Sequence, residues 1–221
     1  MKFNTVIFDL DGTLLNTLDD LCDSVNFTMR RFGRQERTLD EVRCFVGSGL
    51  RELMRKCLGK TSADEETDMF LAVFKEHYAE NLNNKTAPYN GIPALLAKLK
   101  DNNIKIGIVS NKADAALKKL CALYFPEADT AAGEKEGVLR KPSPDGVFAA
   151  LKDMSADIAS AVYVGDSEVD ILTARNARLP VISVTWGFRD KEVLKKLNPD
   201  YMVDTAEELC FILTGEKLNK E

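Results

Sequence analysis

Four short apolar runs recur along this chain: Thr5 to Phe8, Ile104 to Val109, Ser160 to Val164 and Pro180 to Val184. They are rich in β-branched residues and do not alternate with polar ones. Strands buried on both faces have that pattern, which is the signature of a parallel sheet. Parallel strands need long crossovers, and the intervening sequence supplies them as helical patterns. "GIPALLAKLKDN" precedes the second run and "ADAALKKLCALYF" follows it. "SPDGVFAALKDM" precedes the third, and "EVDILTARNARL" follows it. The alternation predicts an α/β sheet with helices on both faces. Weaker strand signals lie at "ADTAAG" and at Tyr201 to Val203, before a last helix from about Ala206 to Leu213. The tail "GEKLNKE" reads as frayed.

One segment breaks the rhythm. From about Asn16 to Lys85 there is no strand signal. Leu18, Leu21, Cys22, Val25, Met29 and Phe32 fall at helical spacing, and Gly33 can end that helix. Thr38 with Glu41, and Ser62 with Glu65, have the spacing of capping boxes. The expectation is an all-helical insertion at 16–85, with residues 1–15 and 86–221 forming the sheet core. The insertion leaves the chain directly after the first strand and is placed to cover whatever that strand presents.

Composition narrows the function classes. A net charge of −5 argues against nucleic-acid binding, which favours a basic face. No apolar run approaches the roughly 20 residues of a membrane helix. The N-terminus enters a strand almost at once, without a signal-peptide pattern. The five cysteines include no C-x-x-C pair and are odd in number, so they read as reduced thiols in a cytoplasmic protein. His77 is the one histidine, which excludes two-histidine metal sites. It lies in a helical pattern and reads as structural, or at most as a substrate contact.

The chemistry gathers at strand ends. In an open parallel sheet, ligands bind beyond the carboxyl ends of the strands. The first run ends in "DLDGT": Asp9, Asp11, Gly12 and Thr13. The second ends in Ser110 and Asn111, and the third in Asp166, with Asp170 four residues later. Lys141 sits in "RKPSP", before a helix start with Ser143 at N-cap and Pro144 at N1. Singly, each has a plain reading as a cap, a turn or a solvated side chain. Together, Asp9, Asp11 and Asp166 make a set of hard oxygen ligands that suits Mg²⁺. The cation and Lys141 would offset the repulsion between the acids. A site so built is complementary to a phosphoryl group, with Ser110 and the amides beyond Asp11 as donors to its oxygens.

"DLDGT", "VSN", "RKPSP" and "GDSEVD", in that order, resemble the four motifs of the haloacid dehalogenase-like phosphatases. "FVGSGLRELM", "PYNGIPALLAKLK" and "YVGDSEVDILTARNARLPVISVTWGFR" resemble the phosphoglycolate phosphatase-like branch, and the similarity covers nearly the whole chain. The resemblance implies a Rossmann-like core with a helical cap. It implies Asp9 as nucleophile and Asp11 as general acid and then base. The carboxylates of Asp9 and Asp166 and the backbone carbonyl of Asp11 would ligate Mg²⁺, with Asp170 a ligand or the partner of one. Ser110 and Lys141 would hold the phosphoryl, with Gly12, Thr13 and Asn111 beside it. In the insertion, Gly47 and Gly49 would let amides approach a substrate carboxylate, with Arg51 adding charge; Trp186 reads as packing. The chain departs from the pattern at Asp145-Gly146, where relatives often carry proline and leucine. It departs again at Arg178, where they commonly have glycine.

The leading expectation is a Mg²⁺-dependent phosphatase for a small phosphorylated metabolite, with phosphoglycolate favoured. Pyrophosphate or a sugar phosphate are the rivals, and a phosphosugar mutase shares the core. A dehalogenase has no use for Asp11. A phospho-acceptor signalling domain or a catalytically idle binding module are the non-enzyme alternatives.

Overall fold

The computed structural model describes residues 3–59 and 62–218. The strands are β1 (Thr5–Phe8), β2 (Leu15–Asn16), β3 (Ala87–Pro88), β4 (Lys105–Ala113), β5 (Thr130–Glu134), β6 (Ala161–Gly165), β7 (Val181–Val184) and β8 (Tyr201–Val203). Six of them form one sheet in the order β5-β4-β1-β6-β7-β8, and the neighbours pair in parallel. The first strand of the sequence therefore lies inside the sheet, between β4 and β6. The short β2 and β3, which pair as a two-stranded ribbon, have no counterpart in the apolar pattern. Two residues are too few to show a period.

The chain divides into two compact units. One holds the residues up to Leu15 and from Pro88 onward; the other holds Asn16–Ala87. In the sheet unit, Ile7, Val109, Val147, Tyr163, Ile171 and Val181 belong to one buried cluster. The apolar runs follow from this burial, because, Lys105 apart, their strand residues are buried.

The second unit is helical: α1 (Leu18–Arg31), α2 (Leu39–Phe45), α3 (Leu50–Leu58) and α4 (Asp64–Asn81). Thr38 and Glu41 form the expected capping box on α2. The box expected at Ser62 and Glu65 does not form. The helix starts one residue later, with Ala63 as N-cap, while Ser62 Oγ donates to the Gly59 carbonyl at 2.9 Å. Phe27 stacks on His77 at 3.9 Å between centroids, and His77 Nδ1 lies 3.0 Å from Ser24 Oγ. The buried Asp20 carboxylate accepts from the backbone N–H groups of Lys85 and Thr86 and from the Thr86 hydroxyl, at 2.8–3.0 Å. This fastens the end of the unit to its first helix.

The remaining helices are α5 (Ile92–Asp101), α6 (Asp114–Tyr124), α7 (Asp145–Asp153), α8 (Glu168–Ala177), α9 (Lys191–Lys196) and α10 (Ala206–Thr214). Pro144 is the N-cap of α7 rather than its first residue, and the Ser143 hydroxyl donates to Asp145 instead of capping. Arg178 ends α8 at φ 57°, in the left-handed region where glycine is the usual occupant. Part of the expected frayed tail, residues 219–221, lies outside the described residues. Among the described residues, no helix is long and apolar enough to cross a membrane.

Candidate active site

The site lies in the sheet unit, at the carboxyl ends of β1, β4 and β6. Asp9 follows β1 directly, and its N–H donates to the Val164 carbonyl at 2.9 Å, which extends the pairing with β6 by one residue. The loop then turns at Gly12, whose φ is +91°. A Cβ there would lie 2.4 Å from Asp166 Oδ2, so both backbone sign and space demand glycine. The Thr13 hydroxyl donates to Asp166 Oδ1 at 3.2 Å, and the N–H of Phe188 donates to Asp166 Oδ2 at 2.7 Å. Gly187 packs against the same carboxylate; a Cβ on it would lie 2.3 Å from Asp166 Cβ and 2.4 Å from the Gly12 carbonyl. The Trp186 indole donates to the Thr13 carbonyl at 3.0 Å. Asp166 is thus held from two sides.

Across β4 the pairing with β5 shifts register between Val109 and Ala113. Such irregularities re-aim side chains, and they are common beside active sites. The stretch contains Ser110, Asn111 and Lys112, all buried. The Ser110 hydroxyl accepts from the Lys112 N–H at 3.3 Å. Asn111 clasps the backbone of Lys141: its amide donates to the Lys141 carbonyl at 3.0 Å and its oxygen accepts from the Lys141 N–H at 2.8 Å. That clasp brings a loop residue from far along the chain to the sheet end.

The Lys141 ammonium is 2.7 Å from Asp170 Oδ1, 2.8 Å from Asp9 Oδ1 and 3.1 Å from the Tyr163 hydroxyl. The approach to Asp9 is close but off the hydrogen-bond direction. Asp9 Oδ1 therefore stays buried without an aligned donor. Asp170 is fully engaged. Oδ1 accepts from Lys141 and Tyr163, and Oδ2 accepts from the N–H and hydroxyl of Ser167, completing a capping box on α8.

The electrostatics are those of acids short of positive charge. Burial raises the Asp9 carboxyl to about 7, against the pull of Lys141, and Asp170 adds to the rise. Burial also pushes Asp166 well up, with Asp170 and Asp9 reinforcing it. Burial works against the Lys141 ammonium, but Asp170 and Asp9 outweigh it and raise its proton affinity. Among the described residues, Asp9, Asp166 and Asp170 offer oxygens within 4.8 Å of one another. The orphaned Asp9 oxygen and the two disfavoured carboxylates fit a hard divalent cation, which would restore both to the ionised state.

The residues expected at the site meet different fates. Asp9, Asp11, Ser110, Lys141, Asp166 and Asp170 lie at these strand ends. Gly12 and Thr13 make room for and orient Asp166. Their amides donate within the loop, to Leu15 and Leu10 carbonyls at 2.9 and 3.2 Å. In the helical unit, Gly47 and Gly49 take φ of 120° and 87° ahead of α3. Arg51 pairs with Asp68 and Asp64, each at 2.9 Å. Four participants escaped the sequence reading: Lys112, Tyr163, Gly187 and the Phe188 amide. Lys112 follows the same strand-end rule that picks Ser110 and Asn111. The others act through a backbone group, an absent side chain or a strand interior, and carry no polar signature at a strand end.

An aspartate at the end of an interior strand, a lysine shared between two acids and a cluster of oxygens at the rim of a parallel sheet suit chemistry on phosphoryl groups. A family model described as haloacid dehalogenase-like hydrolase matches residues 6–184, and the chain belongs to this family. The phosphoglycolate phosphatase of Agrobacterium fabrum (strain C58) is 33% identical over 97% of this chain and 94% of its own length. A pyrophosphatase of Bacillus mycoides (strain KBAB4) is 29% identical over 97% and 98%. The crystal structure of a candidate phosphoglycolate phosphatase from Lactobacillus delbrueckii subsp. bulgaricus superposes with a TM-score of 0.93. It is 36% identical, covering 98% of this chain and all of that one. The protein is a phosphatase of the phosphoglycolate phosphatase-like branch.

Proposed function

We propose that the protein hydrolyses small phosphate monoesters in a Mg²⁺-dependent reaction, through a phosphoryl group carried on Asp9, with phosphoglycolate as the leading substrate. The observation that carries this reading is the pairing of Asp9 with Lys141 beside Asp166. It combines a nucleophile at a strand end, a buried cation and a further buried carboxylate within 4.8 Å. The ion would be held by the carboxylates of Asp9 and Asp166 and by the Asp11 carbonyl. When bound, it neutralises phosphate oxygens and so lets an anionic nucleophile approach phosphorus. Asp170, whose oxygens are engaged by four donors, orients Lys141 rather than ligating directly.

In this reading the Asp9 carboxylate attacks phosphorus while Asp11 gives a proton to the departing alcohol oxygen. Asp11 then takes a proton from water as that water displaces the phosphoryl from Asp9. Lys141 and the Ser110 hydroxyl steady the transferring group. The helical insertion, 16–85, acts as a cap that selects the substrate, with Gly47 and Gly49 letting amides approach a substrate carboxylate and Arg51 adding charge. The reaction belongs in the cytoplasm, where small phosphorylated metabolites are found. Pyrophosphate is the second reading, favoured by the similarity to a pyrophosphatase.

Release of inorganic phosphate from phosphoglycolate, pyrophosphate and sugar phosphates, ranked by kcat/KM with Mg²⁺, decides among these substrates. Asp9→Asn is expected to reduce turnover by at least about 10³-fold with the fold intact. Near-normal rates in that variant would remove Asp9 as nucleophile.

A further inference from the structure

The sheet end holds a second buried lysine that the chemistry above leaves without a task. Lys112 lies in the irregular stretch of β4, with its side chain 2% exposed. Its ammonium donates to Asp11 Oδ1 at 2.9 Å. Taking an ammonium out of water is costly, and an apolar side chain of similar length would fill the space without that cost. The two lysines serve different acids: Lys141 approaches Asp9 and Asp170, and Lys112 bonds Asp11. Lys112 is also one residue from Asn111 and two from Ser110. Its backbone N–H bonds the Ser110 hydroxyl, so it is fixed to the same rigid element as the proposed phosphoryl contacts.

We infer that Lys112 is a positioning residue for proton transfer. Its ammonium pins one oxygen of Asp11, so the other oxygen is presented in a single orientation. The inference rests on the reading of Asp11 as the acid and base. In the first step the Asp9 oxygen bonds to phosphorus, the bond from phosphorus to the leaving oxygen breaks, and the Asp11 proton passes to that oxygen. In the second, a water oxygen bonds to phosphorus and its proton returns to Asp11. The bond from phosphorus to Asp9 breaks, releasing phosphate and the carboxylate. Positioned acid–base catalysis contributes about 10²–10⁴-fold, and misplacement by about 1 Å can cost about 10²-fold.

The consequence depends on the leaving group. An aryl oxygen with strong electron-withdrawing groups departs as an anion and gains little from a proton donor. An alkyl oxygen depends on one. Loss of Lys112 therefore steepens the dependence of kcat/KM on the leaving group, because this parameter covers the steps through the first phosphoryl transfer.

The test compares 2,4-dinitrophenyl, 4-nitrophenyl, phenyl and ethyl phosphate with the full chain, its Lys112→Met variant and its Lys112→Arg variant, all with Mg²⁺. In Lys112→Met the ratio of kcat/KM for dinitrophenyl over ethyl phosphate is expected to rise at least tenfold. Lys112→Arg, which keeps a cationic donor, is expected to bring the ratio back to within threefold of the wild-type value. An unchanged ratio in a folded Met variant overturns the inference, whether all rates fall together or none does. A uniform rise in KM across the series would instead make Lys112 a substrate contact. If Lys112→Met fails to fold by its thermal melt, Lys112→Gln is read by the same ratio. Absence of turnover in the wild type, or full turnover in Asp9→Asn, would defeat the phosphatase chemistry itself, a different outcome from an unmoved ratio.

Discussion

Replacing Gly187 with alanine asks how tightly Asp166 must be held. The added Cβ would lie 2.3 Å from Asp166 Cβ, 2.4 Å from the Gly12 carbonyl oxygen and 2.5 Å from Asp166 Oδ2. Two of these are rigid neighbours, a backbone oxygen and the root of a side chain. Ordinary carbon contacts need about 3.5 Å or more, so the loop or Asp166 must move by about 1 Å. Overpacking of this kind costs about 1–3 kcal/mol. The same shift pulls the Phe188 N–H from Asp166 Oδ2, a charge-assisted bond at 2.7 Å. Loss of a partner that orients a metal ligand typically weakens metal affinity by about 10–100-fold, or about 1.4–2.8 kcal/mol. Calorimetric titration of Gly187→Ala with Mg²⁺, without substrate, is therefore expected to give a dissociation constant about 10–100-fold above that of the wild type. Gly137→Ala is the control. Gly137 has a φ of +80° with nothing near its missing Cβ, so alanine there strains the backbone but leaves the Mg²⁺ constant where it was. Equal Mg²⁺ affinity in Gly187→Ala and the wild type would refute the reasoning, because the clash would then be relieved without disturbing Asp166.

Two further outcomes test other parts of the molecule. Asp20→Ala strands the backbone N–H groups of Lys85 and Thr86, and is expected to lower unfolding free energy by about 3 kcal/mol in urea titration; a loss below about 1 kcal/mol would show that this fastening is dispensable. Of the five cysteines, Cys44 is exposed and the other four are buried, with burial raising Cys57 and Cys121 to about 12 and Cys22 and Cys210 upward. A chromogenic disulfide reagent at pH 8 should label one thiol rapidly and four more only after denaturation; rapid labelling of two or more would contradict the packing.

The sheet was legible because its strands are buried on both faces. Continuous apolar runs such as Val6-Ile7-Phe8 have no solvent-facing side to interrupt them, and the acids Asp9 and Asp166 follow directly where β1 and β6 end. That same edge made Asp9, Ser110, Asn111 and Asp166 stand out. Lys141 was visible only through its motif, since its place beside Asp9 depends on the Asn111 clasp, a long-range contact with no local pattern. Contributions made through the backbone were hidden. Nothing in "VTWGF" announces that the Phe188 amide reaches Asp166, or that the Trp186 indole reaches the Thr13 carbonyl. Nor does the spacing of Ser62 and Glu65 reveal that the helix starts beyond Ser62. A capping pattern states what a residue is able to do, and the path of the chain decides whether it does so.

Asp170 serves two masters at once. One of its oxygens closes the start of α8, and the other steadies the ammonium beside Asp9. On the proposed chemistry, heat tolerance and turnover are therefore inherited together at this position. A change there weakens both, and a compensating change elsewhere that restores the helix would still leave the Lys141 ammonium with Asp9 and Tyr163 alone.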